Sequence, residues 1–303
     1  MITRWGMDVR AIHIAAAVAA SAALTGALAG CGTVRAGTVT SAGPTSATVA
    51  VGAAAQLQKA GDSTSAAKSA KVLETITEAG QTRTATGELS WANGTQSVLH
   101  MQVSAAEQAK VGSDGTADAV YTPTAMFLNP HADAQFTQAL GGAHWMEFDF
   151  ADLARTQGSA GAAFQAEAKS ADPLTLVRAL VVTGKVTSAG PESISGIPTT
   201  HYTADLTPAD LAGTNASAAD REQLGIMQQL LKARGVTNDH IDLWVDSNNL
   251  LVKKDEKLAT ATGTQEIAVS YSDYGVQFAA TPPAAYDTFN AGKPLASKQP
   301  GVS

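Results

Sequence analysis

The sequence contains little cysteine, few aromatic residues and little charge. Of its 303 residues only Cys31 is a cysteine, and aromatic residues make up 5%. One thiol cannot form a disulfide within the chain, which excludes the cross-linked framework of many small exported proteins. Charged residues make up 16% and the net charge is −7. Because nucleic-acid binding requires a basic stripe, this acidic composition argues against a nucleic-acid partner.

The usual catalytic and nucleotide-binding motifs are also missing. The sequence has no Gly-x-Ser-x-Gly elbow, His-Glu-x-x-His pair, Walker loop or Gly-x-Gly-x-x-Gly turn. Ser65 and Lys68 match the Ser-x-x-Lys pattern of penicillin-recognising enzymes, but the Lys-Thr-Gly that accompanies that pattern is absent. The histidines are scattered and never four residues apart. We therefore expect a protein that is not an enzyme and has no cofactor and no metal site.

The N-terminal residues 1–30 predict a signal peptide. Two arginines precede an apolar, Ala-rich run that ends at small residues, and this layout is typical of secretory signals. His13 interrupts the run, which disfavours a permanent transmembrane span of about 20 apolar residues. Both Met1 and Met7 fit the position of the initiating methionine.

The run ends in Leu28-Ala29-Gly30-Cys31, which resembles the lipobox of bacterial lipoproteins. In that class the small residues fit the signal peptidase, and the thiol receives a diacylglyceryl group before cleavage makes the cysteine the new N-terminus. Two or more acyl chains bind a membrane stably, at about 0.8 kcal/mol per buried CH₂. We therefore expect Cys31 to carry acyl chains, to incorporate palmitate, and to hold the protein on the outer face of the cell membrane. An ordinary signal peptide with an incidental cysteine is the alternative.

Composition divides the remaining chain into three parts. Residues 31–55 are rich in Ser, Thr, Gly and Ala without a helical or strand period, so they predict a flexible tether after Cys31. Residues 292–303, with two prolines, predict a flexible tail. Between them, residues 56–291 are long enough for a single domain with one sizeable core.

The predicted domain consists of strands with a few helices inserted. A helix is predicted to end at Gly80, and two amphipathic helices are predicted after the N-cap residues Asp172 and Ser217. Asn93-Gly94 is a strong hairpin-turn signal. Strands are predicted at residues 84–91, 97–104, 119–128, 145–150, 185–195, 199–206, 239–245, 250–258, 266–274 and 276–280.

This order of elements predicts an α+β fold with a mainly antiparallel sheet. Such a sheet commonly packs one face on the core and leaves the other in water, and the two amphipathic helices are its natural cover. The helix side chains expected to face the sheet are Leu174, Val177, Val181, Met227 and Leu231. They either fill a solid core or line a pocket, and the same apolar residues serve both.

Four stretches resemble the LppX/LprG family of actinobacterial lipoproteins, and the resemblance spans residues 73–283. It implies a LolA-like half-barrel, a curved sheet with helices on its concave face, and a cavity that holds the acyl chains of lipids or glycolipids in transport. No motif carries individual lipid-contacting residues over from the family, so the five helix side chains are the lipid-binding candidates only on the pocket interpretation. The alternative function is a tethered sensor or envelope interaction module on the same fold. The stretches are Asp172-Pro173-Leu174-Thr175-Leu176, Gly196-Ile197-Pro198-Thr199-Thr200-His201-Tyr202, Leu243-Trp244-Val245-Asp246 and Tyr271-Ser272-Asp273-Tyr274-Gly275.

Overall fold

The structure, a computed structural model, describes residues 46–158, 172–212 and 217–291. The predicted signal peptide, its lipobox with Cys31, and the predicted tail at 292–303 lie outside the described residues.

Twelve strands of the described chain form one sheet. They are β1 (Ser69–Glu78), β2 (Gln81–Ser90), β3 (Gln96–Gln102), β4 (Thr116–Tyr121), β5 (Ala125–Asn129), β6 (Trp145–Asp149), β7 (Thr187–Ile194), β8 (Ile197–Leu206), β9 (Val236–Asp246), β10 (Leu251–Thr260), β11 (Gly263–Ser272) and β12 (Thr288–Asn290).

The strand order is β12-β6-β5-β4-β3-β2-β1-β11-β10-β9-β8-β7. Every pairing is antiparallel except that of β12 with β6. The end strands β12 and β7 are not paired with each other, so the sheet is open. This architecture confirms the predicted α+β class with a mainly antiparallel sheet.

Six α-helices among the described residues accompany the sheet. They are α1 (Ser46–Ala67), α2 (Ala105–Val111), α3 (Ala134–Ala139), α4 (Phe150–Gln157), α5 (Pro173–Thr183) and α6 (Ala218–Ala233). None of these helices in the described chain is both long and apolar enough to cross a membrane.

The predicted caps of α5 and α6 are confirmed. Asp172 accepts a hydrogen bond from the backbone N–H of Leu174 at 2.9 Å, and Ser217 accepts one from that of Asp220 at 3.1 Å. Pro173 occupies the first turn of α5, where a missing N–H costs nothing because that donor has no partner within the helix. The sequence therefore determined both helix starts locally.

Helix α1 corrects the predicted domain boundary. The tether was predicted to reach residue 55, but the helix begins at Ser46, and Ala53, Leu57 and Ala60 are buried. A Cβ added at Gly61 would meet the Val177 side chain of α5 at 3.2 Å, so the two helices pack closely. The prediction was wrong for residues 46–55 because small residues hide the helical period, and burial against the sheet overrides composition.

Two further predictions were wrong. The segment before Gly80 is strand β1 rather than a helix, since pairing with β2 and β11 buries Val72 and leaves Leu73 46% exposed. Residues 276–280 form no strand. The backbone carbonyl of Val276 instead accepts a hydrogen bond from Ser69 Oγ at 2.7 Å. Ala280 packs against the face of the sheet that α1, α5 and α6 do not cover, here called the outer face.

Two apolar cores lie on the same face of the sheet, here called the inner face. The first core joins α1, α5 and α6 to β1 and β8–β11, and the second joins α2 and α4 to β2–β6. Leu99 on β3 packs against both cores. The inner face of the central strands therefore lies between two separately covered regions.

Candidate functional site

Helix α6 does not cover the sheet completely. Leu224 and Leu231, on the same helix face, are 3% and 5% exposed. Met227 lies between them on that face, because residues three and four apart are neighbours on a helix, yet it is only partly buried. A long side chain flanked by fully buried ones keeps exposed surface only where the packing beside it is incomplete.

The sheet has the same feature on strand β11. On β11, Val269 and Tyr271 point to the inner face and are 7% and 5% exposed, whereas Ile267 on that face is only partly buried. Leu99 on β3 is also partly buried, although its inner-face neighbour Met101 is fully buried. Apolar surface thus remains accessible between the helices and the sheet.

The structure brings the five predicted lipid-binding residues together against the first core. Leu174, Val177 and Leu231 are buried in it, and Val181 and Met227 are partly buried at its edge. Their proximity was predictable from helical spacing. Their role in lipid binding stays a prediction.

Charged residues lie on the inner face beside this apolar surface. In the strand register Lys254 of β10 lies opposite Val269, which lies opposite Glu74 of β1. One step along, Glu256 lies opposite Ile267. We call Glu74, Lys254, Glu256 and Ile267 the central floor.

The Lys254 ammonium and the Glu256 carboxylate form an ion pair at 2.5 Å, with side chains 12% and 14% exposed. Burial opposes the ammonium charge, but Glu256, Tyr271 and Glu74 together raise the pKa of Lys254. Burial also raises the pKa of the Glu74 carboxyl, and Lys254 partly offsets that rise. The floor therefore holds a fixed cation beside carboxyl groups in a poorly hydrated region.

Asp239 adds a further carboxyl group to this set of ionisable residues, beneath helix α6. It lies on the inner face of β9 and is 0% exposed, and neither of its carboxyl oxygens has a hydrogen-bond partner among the described residues. Burial raises the pKa of Asp239 well above its ordinary value, with a further rise from Glu256, while Lys254 and Arg234 act in the opposite direction. A buried carboxyl group of this kind favours its neutral form, which can donate a proton.

Sequence reasoning missed these polar residues, although a signal was present. Residues 253–257 read Lys-Lys-Asp-Glu-Lys, so charges occupy both alternating positions of a predicted strand. Because alternate side chains of a strand point to opposite faces, such a strand must place charge on its buried face. The strand was predicted, but that consequence was not drawn.

The outer face carries an open groove of about 600 Å³ over β1, β2, β3 and β11. Leu73 and Val98, which line it, are 46% and 37% exposed. Lys71, Glu88 and His100 add polar groups of both signs. This groove is separated from the central floor by the sheet itself.

The histidines of the described ranges, 46–158, 172–212 and 217–291, each lie beside an aspartate. His100 and His131 share Asp118, at 2.7 and 2.8 Å, and His201 contacts Asp242 at 2.7 Å. No group of His, Cys, Asp and Glu side chains within these ranges has an arrangement that could hold a metal ion.

No known protein-family model matches the sequence. An uncharacterized 31.2 kDa protein of Streptomyces griseus is 34% identical over 240 residues, which cover 77% of this chain and 77% of that protein. A "putative lipoprotein" of Streptomyces coelicolor is 30% identical over 217 residues, covering 71% of this chain and 66% of that protein.

Solved structures of two mycobacterial lipoproteins are also similar. LppX of Mycobacterium tuberculosis matches 76% of this chain and 98% of its own, at 12% identity and a TM-score of 0.47. LprF of Mycobacterium bovis matches 77% of this chain and 98% of its own, at 16% identity and a TM-score of 0.44. At 34% identity over 77% of both chains, the Streptomyces griseus protein shows that this chain belongs to the same family. The two mycobacterial structures agree with the sequence resemblance to LppX/LprG-type lipoproteins.

Proposed function

We propose that this protein is a lipid-anchored, extracytoplasmic lipoprotein that binds the acyl chains of a lipid between its helices and the inner face of its sheet. The observation that carries the proposal is the partly accessible apolar surface at Met227, which lies between the buried Leu224 and Leu231 on α6, and at Ile267, which lies next to the buried Val269 on β11. A solid core would bury these side chains as completely as Leu224 or Tyr271.

The composition of the region fits a ligand site. Pockets for small molecules are mostly apolar, with a small number of polar groups that fix the ligand's orientation. Here the helices contribute Val181 and Met227, the sheet contributes Ile267, and the Lys254–Glu256 pair provides the polar groups. No catalytic motif occurs in the sequence, so we propose binding or transport rather than turnover.

Introducing Met227→Trp tests the proposal. If Met227 lines an acyl pocket, the indole fills the space and blocks the ligand, and the domain still folds because added volume enters a gap rather than a filled core. We expect at least about a fivefold loss of lipid labelling, equivalent to about 1 kcal/mol of binding. The full chain is reconstituted in phosphatidylcholine vesicles that contain a fatty acid with a photoactivatable diazirine in its chain, and labelled peptides are mapped.

The matched control is Gln229→Trp, which places the same indole on an exposed position of α6. It should leave labelling unchanged. Strong destabilisation by Met227→Trp, together with no saturable labelling of the wild-type inner face, would show that the core is solid and that the proposal is wrong.

We further propose that Cys31 carries the membrane anchor. Cys31→Ala should abolish incorporation of radioactive palmitate and either release the protein into the medium or leave it uncleaved, because the sequence has no other thiol to acylate. The measurement is palmitate labelling with membrane fractionation of cells. Continued labelling and unchanged membrane retention would contradict acylation at Cys31.

An interaction module is the second candidate, and the outer groove favours it. Leu73 and Val98 expose apolar surface on a sheet face that α1, α5 and α6 do not cover. Labelling of inner-face peptides by the acyl probe supports the carrier, whereas absence of acyl labelling leaves the interaction module as the better explanation.

A further inference from the structure

We propose that Asp239 makes the docking of helix α6 sensitive to pH: the helix stays on the sheet while the Asp239 carboxyl group is neutral, and it is released when that group ionises. The inference concerns only α6 and the strand beneath it, so it goes beyond acyl binding and does not depend on it. Release would change access to the inner face, because Met227 lies on α6 beside the accessible apolar surface.

Asp239 has no hydrogen-bond partner for either carboxyl oxygen among the described residues. Its side chain lies on the inner face of β9, where its register partners are Leu206 of β8 and Leu258 of β10. Asp239 and Leu206 are both 0% exposed, and Leu258 is 2% exposed. An ionised carboxylate in these surroundings loses its hydration without gaining a partner, so the docked state favours the neutral carboxyl group.

The charged groups around Asp239 do not compensate a charge on it. They come from three elements, and they are Glu256 and Lys254 of β10, Arg234 at the end of α6 and Asp205 of β8. Lys254 is already paired with Glu256 at 2.5 Å, and Arg234 also faces Glu256 and Glu78. Neither cation donates a hydrogen bond to Asp239. Ionisation therefore adds a carboxylate to a site whose two cations already face other carboxyl groups.

Helix α6 is held on the sheet by few buried side chains. Of its side chains that the structure describes, only Leu224 and Leu231 are buried, whereas the shorter α5 buries six. Gln228 Nε2 adds a hydrogen bond to the Pro208 carbonyl at 2.5 Å. Elements with few buried apolar contacts open at a lower free energy than the rest of a domain. A charge that appears beneath α6 is therefore relieved by opening this helix rather than by unfolding the sheet.

The direction of the pH response follows from the burial of Asp239. Burial raises the pKa of the Asp239 carboxyl group well above its ordinary value, and Glu256 raises it further, while Lys254 and Arg234 oppose the rise. A group with a raised folded-state pKa contributes stability that is fully present below its unfolded value, about 3.9 for Asp, and is lost as pH rises through the folded-state pKa. Helix α6 should therefore be docked at acidic pH and loosened at alkaline pH.

Amide hydrogen exchange of the full chain tests this inference. The protein is kept in detergent without added lipid at pH 5 and at pH 9, and exchange is mapped by mass spectrometry after correction for the intrinsic pH dependence of amide exchange. We expect protection of α6 peptides to fall at least about tenfold between the two pH values, equivalent to about 1.4 kcal/mol of local opening. Peptides of β5 and β6, in the second core, should change little. Asp239→Asn cannot ionise, so it should limit the change in α6 to about twofold or less.

Asp242→Asn is the matched control because it makes the same change on the opposite face of β9, where Asp242 contacts His201 at 2.7 Å. It should keep the wild-type response. Histidines also titrate in this pH range, but they do so in wild type and in Asp239→Asn alike. Asp239→Leu is a second variant if Asp239→Asn does not fold, and it should also remove the response.

Three results would overturn the inference: unchanged α6 protection between pH 5 and pH 9 in wild type, an equal fall in wild type and in the Asp239 variants, or an equal fall in the second core. None of these results bears on acyl binding, which the labelling of Met227→Trp tests separately.

Discussion

Leu57→Ala should destabilise the domain by about 2–5 kcal/mol, although the residue lies only two positions beyond the predicted tether. Leu57 is 0% exposed and belongs to the first core, so removing its branched side chain leaves a cavity between α1 and the sheet. For a domain of this size each kcal/mol shifts Tm by about 2–4 °C, so we expect a decrease of roughly 4–20 °C.

Thermal melts followed by circular dichroism measure this shift. Lys59→Ala, at an exposed position of the same helix, is the control and should change Tm little. If Leu57→Ala also left Tm unchanged, α1 would not be docked on the sheet and the domain would begin after it.

Lys254→Met should destabilise the domain by about 3–5 kcal/mol at pH 7, because it leaves the Glu256 carboxylate uncompensated at a position only 14% exposed. The double variant Lys254→Met/Glu256→Leu should recover most of this loss, since replacing both charges removes the unpaired one.

The loss of stability caused by Lys254→Met should depend on pH in a defined direction. Although burial opposes the ammonium charge, Glu256, Tyr271 and Glu74 raise the folded-state pKa of Lys254 above its unfolded value of about 10.4. A group with a raised folded pKa contributes stability that is present below the unfolded pKa and is lost as pH rises through the folded pKa. The difference between wild type and Lys254→Met should therefore persist from pH 7 to about pH 10 and shrink as pH rises further, since Lys254 then loses its charge.

Denaturant unfolding at several pH values measures this dependence. Lys253→Met is a close control because Lys253 pairs with Asp255 at 2.6 Å on the opposite face of the same strand, with side chains 27% and 34% exposed. Ion pairs near the surface contribute about 0–1 kcal/mol, so we expect a small, nearly pH-independent effect. Similar losses in the two lysine variants would contradict the special role of the inner-face pair.

Where short-range chemistry decides the local structure, the sequence alone was sufficient to predict it. The N-cap acid and first-turn proline determined the start of α5, and Asn93-Gly94 determined the turn between β2 and β3. Alternation in residues 145–150 also identified the inner face of β6, where Met146 and Phe148 are buried. Each of these signals acts within a few residues, so it survives without knowledge of the rest of the chain.

Where contacts between residues distant in the sequence decide the local structure, the sequence alone was insufficient to predict it. Val72, Leu73 and Ile76 fit a helical spacing, and pairing with β11, nearly two hundred positions later in the chain, makes their segment a strand. Helix α1 has too little apolar contrast to be recognised alone, and its burial against the sheet and α5 stabilises it. Long-range contacts of this kind override weak local preferences.

The sequence by itself determined the α+β class, the predicted lipobox at Cys31 and the helix residues that meet in the first core, because composition, caps and periodicity are properties of short segments. Only the tertiary structure decided that Glu74, Lys254 and Glu256 lie on one inner face beside partly exposed apolar side chains. That arrangement depends on the register between β1, β11 and β10, and register is set by the pairing of whole strands rather than by any one of them.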